Sequence, residues 1–208
     1  MGHRRLSGGR IGIFGGLFDP IHYAHLAMAQ QVREKLGLAS VVFVPTGQPV
    51  HRRTAQAASE DRLRMIELAI ADNPAFSVSR DEIDRNGPSY MADTLATFHA
   101  RDPQRPLVLI VSTETVALMP STWRDLDRVF DLTDLIAVVP RLGYPENDIN
   151  WVMESFPGRA DHFLSIWTSQ LGNSSTNIRS RVASGLSIRY LVPPAVETYI
   201  GEHGLYAA

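Results

Sequence analysis

The chain of 208 residues has no cysteine. That excludes disulfides and fits a cytoplasmic protein. Lysine is nearly missing too: Lys35 stands alone among the 20 basic residues, and the rest are arginine. Genome composition accounts for this bias more simply than an arginine-based phosphate chemistry does. No stretch approaches the roughly 20 apolar residues of a membrane span. The polar, arginine-containing start, Met1 to Gly9, has no apolar segment of the kind a secretory signal carries. A surplus of charge is absent as well. The formal net charge of −2 makes no overall electrostatic case for nucleic acid or a membrane as partner. Apolar residues make up 44% of the chain, enough for a sizeable core. The length suits one domain over residues 1–208 better than two.

What the chain does have is a concentrated stretch near its start. The apolar run Arg10-Ile11-Gly12-Ile13-Phe14 leads into Gly15-Gly16-Leu17-Phe18-Asp19-Pro20-Ile21-His22-Tyr23-Ala24-His25. Leu26, Ala29, Val32 and Leu36 follow at helical spacing. The pattern predicts a strand, a tight turn at Gly15-Gly16 and a helix over 20–36. Pro20 then stands in the first turn, and His22 and His25 share one face of it. A glycine turn feeding a helix N-terminus, with its free N–H groups and positive dipole end, is an anion site. The spacing is neither a P-loop nor the dinucleotide fingerprint. Zinc is not supported, because no third ligand stands nearby. Either histidine alone reads as structural; the pair beside a glycine turn points to phosphate.

Further strand-like runs lie at 40–45, 76–79, 107–111, 135–139 and 163–167. Helical patterns lie at 60–72, 89–100, 123–130, 175–184 and 194–202. Short apolar strands alternating with helices predict an α/β fold with a doubly wound, mostly parallel, Rossmann-like sheet covered by helices on both faces. In such sheets ligands bind outside the C-terminal strand ends.

Four other stretches carry chemistry. Thr46 to Ser59, a long polar loop after the second strand, contains His51, Arg52 and Arg53; it reads equally as a phosphate grip or a solvated basic loop. Asn86-Gly87-Pro88-Ser89-Tyr90 reads as a turn and a helix capped by Ser89. Ser112-Thr113-Glu114 ends a strand, where a carboxylate can accept from ribose hydroxyls, and Trp123 offers a stacking face or a core aromatic. Asn173-Ser174-Ser175-Thr176-Asn177-Ile178-Arg179 places hydroxyls and a guanidinium at a helix start, read as a second anion site or an ordinary cap with a surface arginine.

Taken together, these stretches resemble the bacterial nicotinate-nucleotide adenylyltransferases of the HxxH nucleotidyltransferase superfamily, from about Arg10 to Tyr206. Residues 15–25 match the family string G-G-x-F-D-P-x-H-x-x-H, and residues 174–179 match Ser-Ser-Thr-x-Ile-Arg. The resemblance implies adenylyl transfer from ATP to nicotinate mononucleotide in NAD biosynthesis. It implies that His22 and His25 are catalytic, contacting the ATP phosphates. Gly15, Gly16, Phe18, Ser175, Thr176, Ile178 and Arg179 complete the ATP site, with the second phosphate motif carried by a helical part at about 174–208. Thr46, His51, Arg52, Ser89, Tyr90, Glu114, Trp123 and Arg141 are implied for the mononucleotide. Mg²⁺ is implied as an ion carried by ATP, with no protein ligand. Neither nucleic acid nor membrane is expected as a partner, and a homo-oligomer is left open. The chain departs from the family at Val50, Arg52, Met91, Ser112, Glu114 and Leu142, where Pro, Lys, Thr, Gly, Asp and Pro are usual, and one extra residue precedes Trp123. Other readings stay open: another phosphate acceptor such as nicotinamide mononucleotide or phosphopantetheine, a nucleotide-binding relative without turnover, or a plain binding domain for other anions.

Overall fold

Each continuous apolar run becomes a strand, and its alternate side chains enter two separate cores. The computed structural model describes residues 9–50, 55–140, 149–169 and 171–208. Among these, β1 (Ile11–Gly16), β2 (Ser40–Pro45), β3 (Phe76–Val78), β4 (Leu107–Ser112), β5 (Leu135–Val139) and β6 (Phe163–Ser165) form one sheet. The strand order is β3-β2-β1-β4-β5-β6 and every pairing is parallel. This is the doubly wound order, which reverses between β1 and β4; the crevice outside the C-terminal ends of those strands is where such sheets bind ligands.

The helices are α1 (Tyr23–Leu36), α2 (Ser59–Ile70), α3 (Met91–Arg101), α4 (Thr113–Thr122), α5 (Leu126–Leu132), α6 (Ile149–Ser155), α7 (Ser175–Ala183) and α8 (Pro194–Glu202). One core holds Phe14, Val108, Ile110, Ala137 and Val139 with residues of α1, α2, α7 and α8, among them Val32, Ile66, Ile178 and Val196. The other holds Ile13, Leu109, Val111, Ile136 and Val138 with residues of α3, α4, α5 and α6, among them Leu95, Met119, Phe130 and Val152. Neighbours such as Ile13 and Phe14 thus face opposite ways, as strand pleating requires. Each fully buried Ile or Leu contributes about 1.5–3 kcal/mol against exposure. Among the described residues no helix is long and apolar enough to cross a membrane.

Several boundaries differ from the sequence expectation. α1 begins at Tyr23, so Pro20 lies before the helix, and His22 is its N-cap, in extended backbone. Gly15 and Gly16 end β1 and do not make the turn; the left-handed residue is Phe18, at φ 48°. Its ring lies over Gly16, where a Cβ would stand 3.0 Å from the ring edge, a tight contact. α3 starts two residues beyond the expected Ser89, and its N-cap Tyr90 gives no side-chain cap. α4 was not expected, because Pro120 and three threonines obscure the helical pattern. Ser112 is its N-cap, accepting from the Thr115 N–H. Trp123 is therefore the C-cap of α4 and does not start the following helix, which begins at Leu126.

Gly47, just past β2, approaches another segment more closely than any side chain allows. A Cβ there would stand 1.9 Å from the Glu82 carbonyl oxygen and 2.7 Å from its carbon. Gly47→Ala must push backbone from backbone, and overpacking of this kind costs roughly 1–3 kcal/mol. For a chain of this size that lowers the melting temperature by roughly 2–4 °C per kcal/mol. A calorimetric scan of the variant checks this; an unchanged melting temperature contradicts the close approach.

Candidate active site

The loop between β1 and α1 presents a row of backbone carbonyls, and distant groups donate to several of them. The Gly16 carbonyl accepts from the Thr46 N–H at 2.9 Å and from Thr46 Oγ1 at 3.2 Å. Arg62 Nη1 donates to the Leu17 carbonyl at 2.8 Å, and its Nη2 donates to the Thr46 carbonyl at 2.7 Å. Arg179 Nη1 donates to the Asp19 carbonyl at 2.7 Å, and Ser175 Oγ to the Pro20 carbonyl at 2.9 Å. Residues more than 150 positions apart are thereby joined.

Asp19 also anchors the loop through its side chain. The carboxylate is 2% exposed. Oδ2 accepts from the Gln56 N–H at 2.8 Å, while Oδ1 accepts from the Ala57 N–H at 3.1 Å and the Tyr206 hydroxyl at 2.7 Å. Arg179 Nη1 stands 3.9 Å from Oδ2. A charge this deeply buried is tolerable only with such donors. Burial, then the negative charge of Asp19 and its hydrogen bond, raise the Tyr206 phenol far above its ordinary range. Burial lowers the Arg62 guanidinium from its ordinary value, and the nearby charge of Asp19 opposes this.

His22 and His25 lie together at the start of α1. Their rings are stacked, with centroids 3.7 Å apart and planes 17° from parallel. The His25 ring also meets Phe18 and Phe14 edge-on, at 5.1 and 6.1 Å. The stacking follows from the capping: His22 is the extended N-cap and His25 is the third helical residue. The first turns of α1 and α7 carry no acidic side chain, so their positive dipole ends remain open to an anion. α7 starts beside α1. Ser174 caps it by accepting from the Asn177 N–H, and Asn173 Nδ2 donates to the Leu191 carbonyl, which also accepts from the Tyr23 N–H at the head of α1. Arg179 reaches Thr176 Oγ1 at 3.5 Å, and its buried Nε makes no hydrogen bond.

The other candidate residues are placed as follows. The Phe18 ring and the Ile178 side chain are buried in the core, so they offer a ligand main chain at most. The position of a Cβ on Gly15 lies 2.5 Å from the Met91 methyl, so this glycine makes room for a side chain of the same protein. Ser89 Oγ accepts from the Gly47 and Gln48 N–H groups at 3.1 and 3.2 Å, tying the start of α3 to the loop after β2. Arg124 covers the Tyr90 ring at 5.1 Å, next to partly buried Trp123. Glu114 lies in the first turn of α4. His51, Arg52 and Arg141 lie outside the described residues. Among the described residues no group of three or more His, Cys, Asp or Glu is placed to hold a metal.

No site role was expected of Arg62, Asp19, Tyr206 or Glu82. Arg62 did leave a signal: it stands three and four positions before Met65 and Ile66, on the apolar stripe of α2, where a charge has to have partners.

A family model described as cytidylyltransferase-like matches residues 13–181. The chain is 42% identical over 201 residues to a protein of Herpetosiphon aurantiacus named a probable nicotinate-nucleotide adenylyltransferase, covering 96% of this chain and 99% of that one. It is 44% identical over 202 residues to a protein of the same name from Roseiflexus, covering 97% and 100%. Among solved structures, the Plasmodium falciparum nicotinic acid mononucleotide adenylyltransferase complexed with NaAD superposes with a TM-score of 0.76 at 18% identity, covering 95% of this chain and 97% of that one. This likeness shows the shared fold.

Glu82 makes the stability of this region depend on pH. Burial raises its carboxyl above the ordinary 4.5, against hydrogen bonds from Thr94 and Ser89 and the charge of Arg85. Thr94 Oγ1 donates to Oε1 at 2.7 Å. Between 4.5 and the raised value the folded protein holds more protons than the unfolded chain, so the stability contribution is complete below that window and falls as pH rises through it. Glu82→Gln removes the titration. The melting temperature of wild type relative to this variant should therefore decline from pH 4.5 upward. A difference that does not vary with pH contradicts the assignment.

Proposed function

The chain belongs to the cytidylyltransferase-like family and, within it, to the nicotinate-nucleotide adenylyltransferases, and on that footing we propose that it joins ATP and nicotinate mononucleotide into nicotinate adenine dinucleotide, with release of pyrophosphate. An oxygen of the mononucleotide phosphate attacks the α-phosphorus of ATP, and the bond from that phosphorus to the bridging oxygen of the pyrophosphate breaks. The attacking phosphate is already anionic near neutral pH, so no general base is needed. Catalysis is then positioning and charge stabilisation.

The observation that carries the reading is the joining of the α1 and α7 N-termini around the Asp19-Pro20 carbonyls, with the His22–His25 stack on one and Arg179 on the other. In this reading the two imidazoles and Arg179 hold the triphosphate. Thr46, Ser89, Tyr90, Glu114 and Trp123 serve the mononucleotide, with Tyr90 and Trp123 supplying flat faces for the pyridine ring. His51, Arg52 and Arg141 are assigned to the mononucleotide by sequence pattern alone. The Asp19 carboxylate is committed to N–H and O–H donors. No described side chain is assigned to Mg²⁺, which would enter with ATP and would supply neutralisation of charge on the leaving pyrophosphate. The substrates are small and soluble, and a cytoplasmic location belongs to the same reading.

The decisive experiment is product formation from ATP with each pyridine mononucleotide. Dinucleotide should form, faster from nicotinate than from nicotinamide mononucleotide; absence of product with both refutes the enzyme. His22→Ala and His25→Ala should each lower turnover on the order of 100-fold while the protein stays folded. Near-normal turnover in either variant removes that histidine from the catalytic role.

Arg179→Ala should weaken ATP more than the mononucleotide. A charge-assisted hydrogen bond is worth roughly 1.5–3 kcal/mol, about 10- to 150-fold in affinity. Titration calorimetry with each ligand alone measures it, and equal loss for both ligands rules out the triphosphate role.

A further inference from the structure

Tyr206 lies beyond α8, and nothing in the proposed chemistry uses it. Its backbone is left-handed, at φ 63°, a conformation L residues rarely adopt. Its ring packs against the α1, α2 core, and its hydroxyl donates to Asp19 Oδ1 at 2.7 Å. The same carboxylate faces Arg179, yet the two make a distant contact of 3.9 Å. Arg179 Nη1 instead donates to the Asp19 main-chain carbonyl at 2.7 Å. A buried carboxylate beside a guanidinium ordinarily draws it into a close, often bidentate pair. Here three other donors occupy the carboxylate: the Gln56 and Ala57 N–H groups and the Tyr206 hydroxyl.

We infer that Tyr206 is a positioning residue for the triphosphate site: its hydroxyl occupies Asp19 and so keeps the Arg179 guanidinium available to an anion. Removing the hydroxyl leaves Oδ1 with one of its two donors. The buried carboxylate then recovers a partner by pulling in Arg179, which neutralises the cation and turns its N–H groups away from the phosphates. ATP binding weakens although Tyr206 need not touch ATP. The phenol is held protonated by burial and by Asp19, so it stays a donor across the working pH range. α8 has an independent tether, because Tyr199 donates to Asp61 of α2 at 2.9 Å. Tyr206→Phe therefore isolates the hydroxyl while ring and helix stay in place. The identification of the anion as ATP rests on the function proposed above.

The test is titration calorimetry of ATP with Mg²⁺, and separately of nicotinate mononucleotide, on wild type, Tyr206→Phe, Arg179→Ala and the double variant, with melting temperatures as a fold control. Tyr206→Phe should raise the Kd for ATP roughly 5-fold, in line with the loss of one hydrogen bond. It should change the Kd for the mononucleotide less than twofold and raise KM for ATP with kcat nearly unchanged. In the Arg179→Ala background the same substitution should cost less than twofold, because residues that act through one another are not additive. A loss that persists in that background, or one equal for both ligands, overturns the role. Wild type that binds ATP yet forms no dinucleotide refutes the proposed function and leaves the Tyr206 result legible from ATP binding alone. Wild type that does not bind ATP refutes both.

Discussion

The Asp19 carboxylate is a negative charge almost wholly removed from water, and the site is built from what that charge requires. Its donors come from the loop before α2, from Tyr206 beyond α8 and, at a distance, from Arg179 in α7. A buried carboxylate without such partners would be strongly destabilising. Meeting that requirement brings three remote segments to the end of β1. The Asp19 and Pro20 carbonyls extend the junction by receiving Arg179 and Ser175. One buried ion thus fixes the relative placement of both phosphate-type motifs.

Arg62 plays a complementary part from behind the loop. Its guanidinium is 1% exposed and links the Leu17 carbonyl after β1 to the Thr46 carbonyl after β2. The adjacent ends of β1 and β2 are therefore clamped, on one side of the crevice that opens between β1 and β4. A cationic group at the back of the loop and two helix N-termini free of first-turn carboxylates have the same electrostatic sense. Such an arrangement suits a ligand with several negative charges.

Two departures from the adenylyltransferase pattern acquire local causes. Ser112, where glycine is usual, caps α4 through its hydroxyl, a use for which serine is well suited and which helps set where α4 starts. Met91, where threonine is usual, places its methyl against the Cβ-less Gly15, so methionine and glycine are accommodated as a pair. Both changes lie beside the expected mononucleotide positions, and both are absorbed by packing or capping within the chain.

The sequence by itself determined the α/β class, all six strands to within a few residues, and the two motifs that carry the family resemblance. Strand runs and amphipathic helices are local periodicities, and they survive without knowledge of what packs against them. Helix boundaries at Ser89, Trp123 and His22 were decided by tertiary structure. Ser89 is drawn away from capping by the Gly47 and Gln48 N–H groups, and Ser112 starts a helix that Pro120 concealed. The turn falls on Phe18 because aromatic packing with Phe14, Phe43 and His25 holds its ring over Gly16. The partners of Arg62, Asp19, Tyr206 and Glu82 were decided by tertiary structure for the same reason. Their importance comes from burial and from donors up to 187 residues away, and such pairings exist only once the chain has folded.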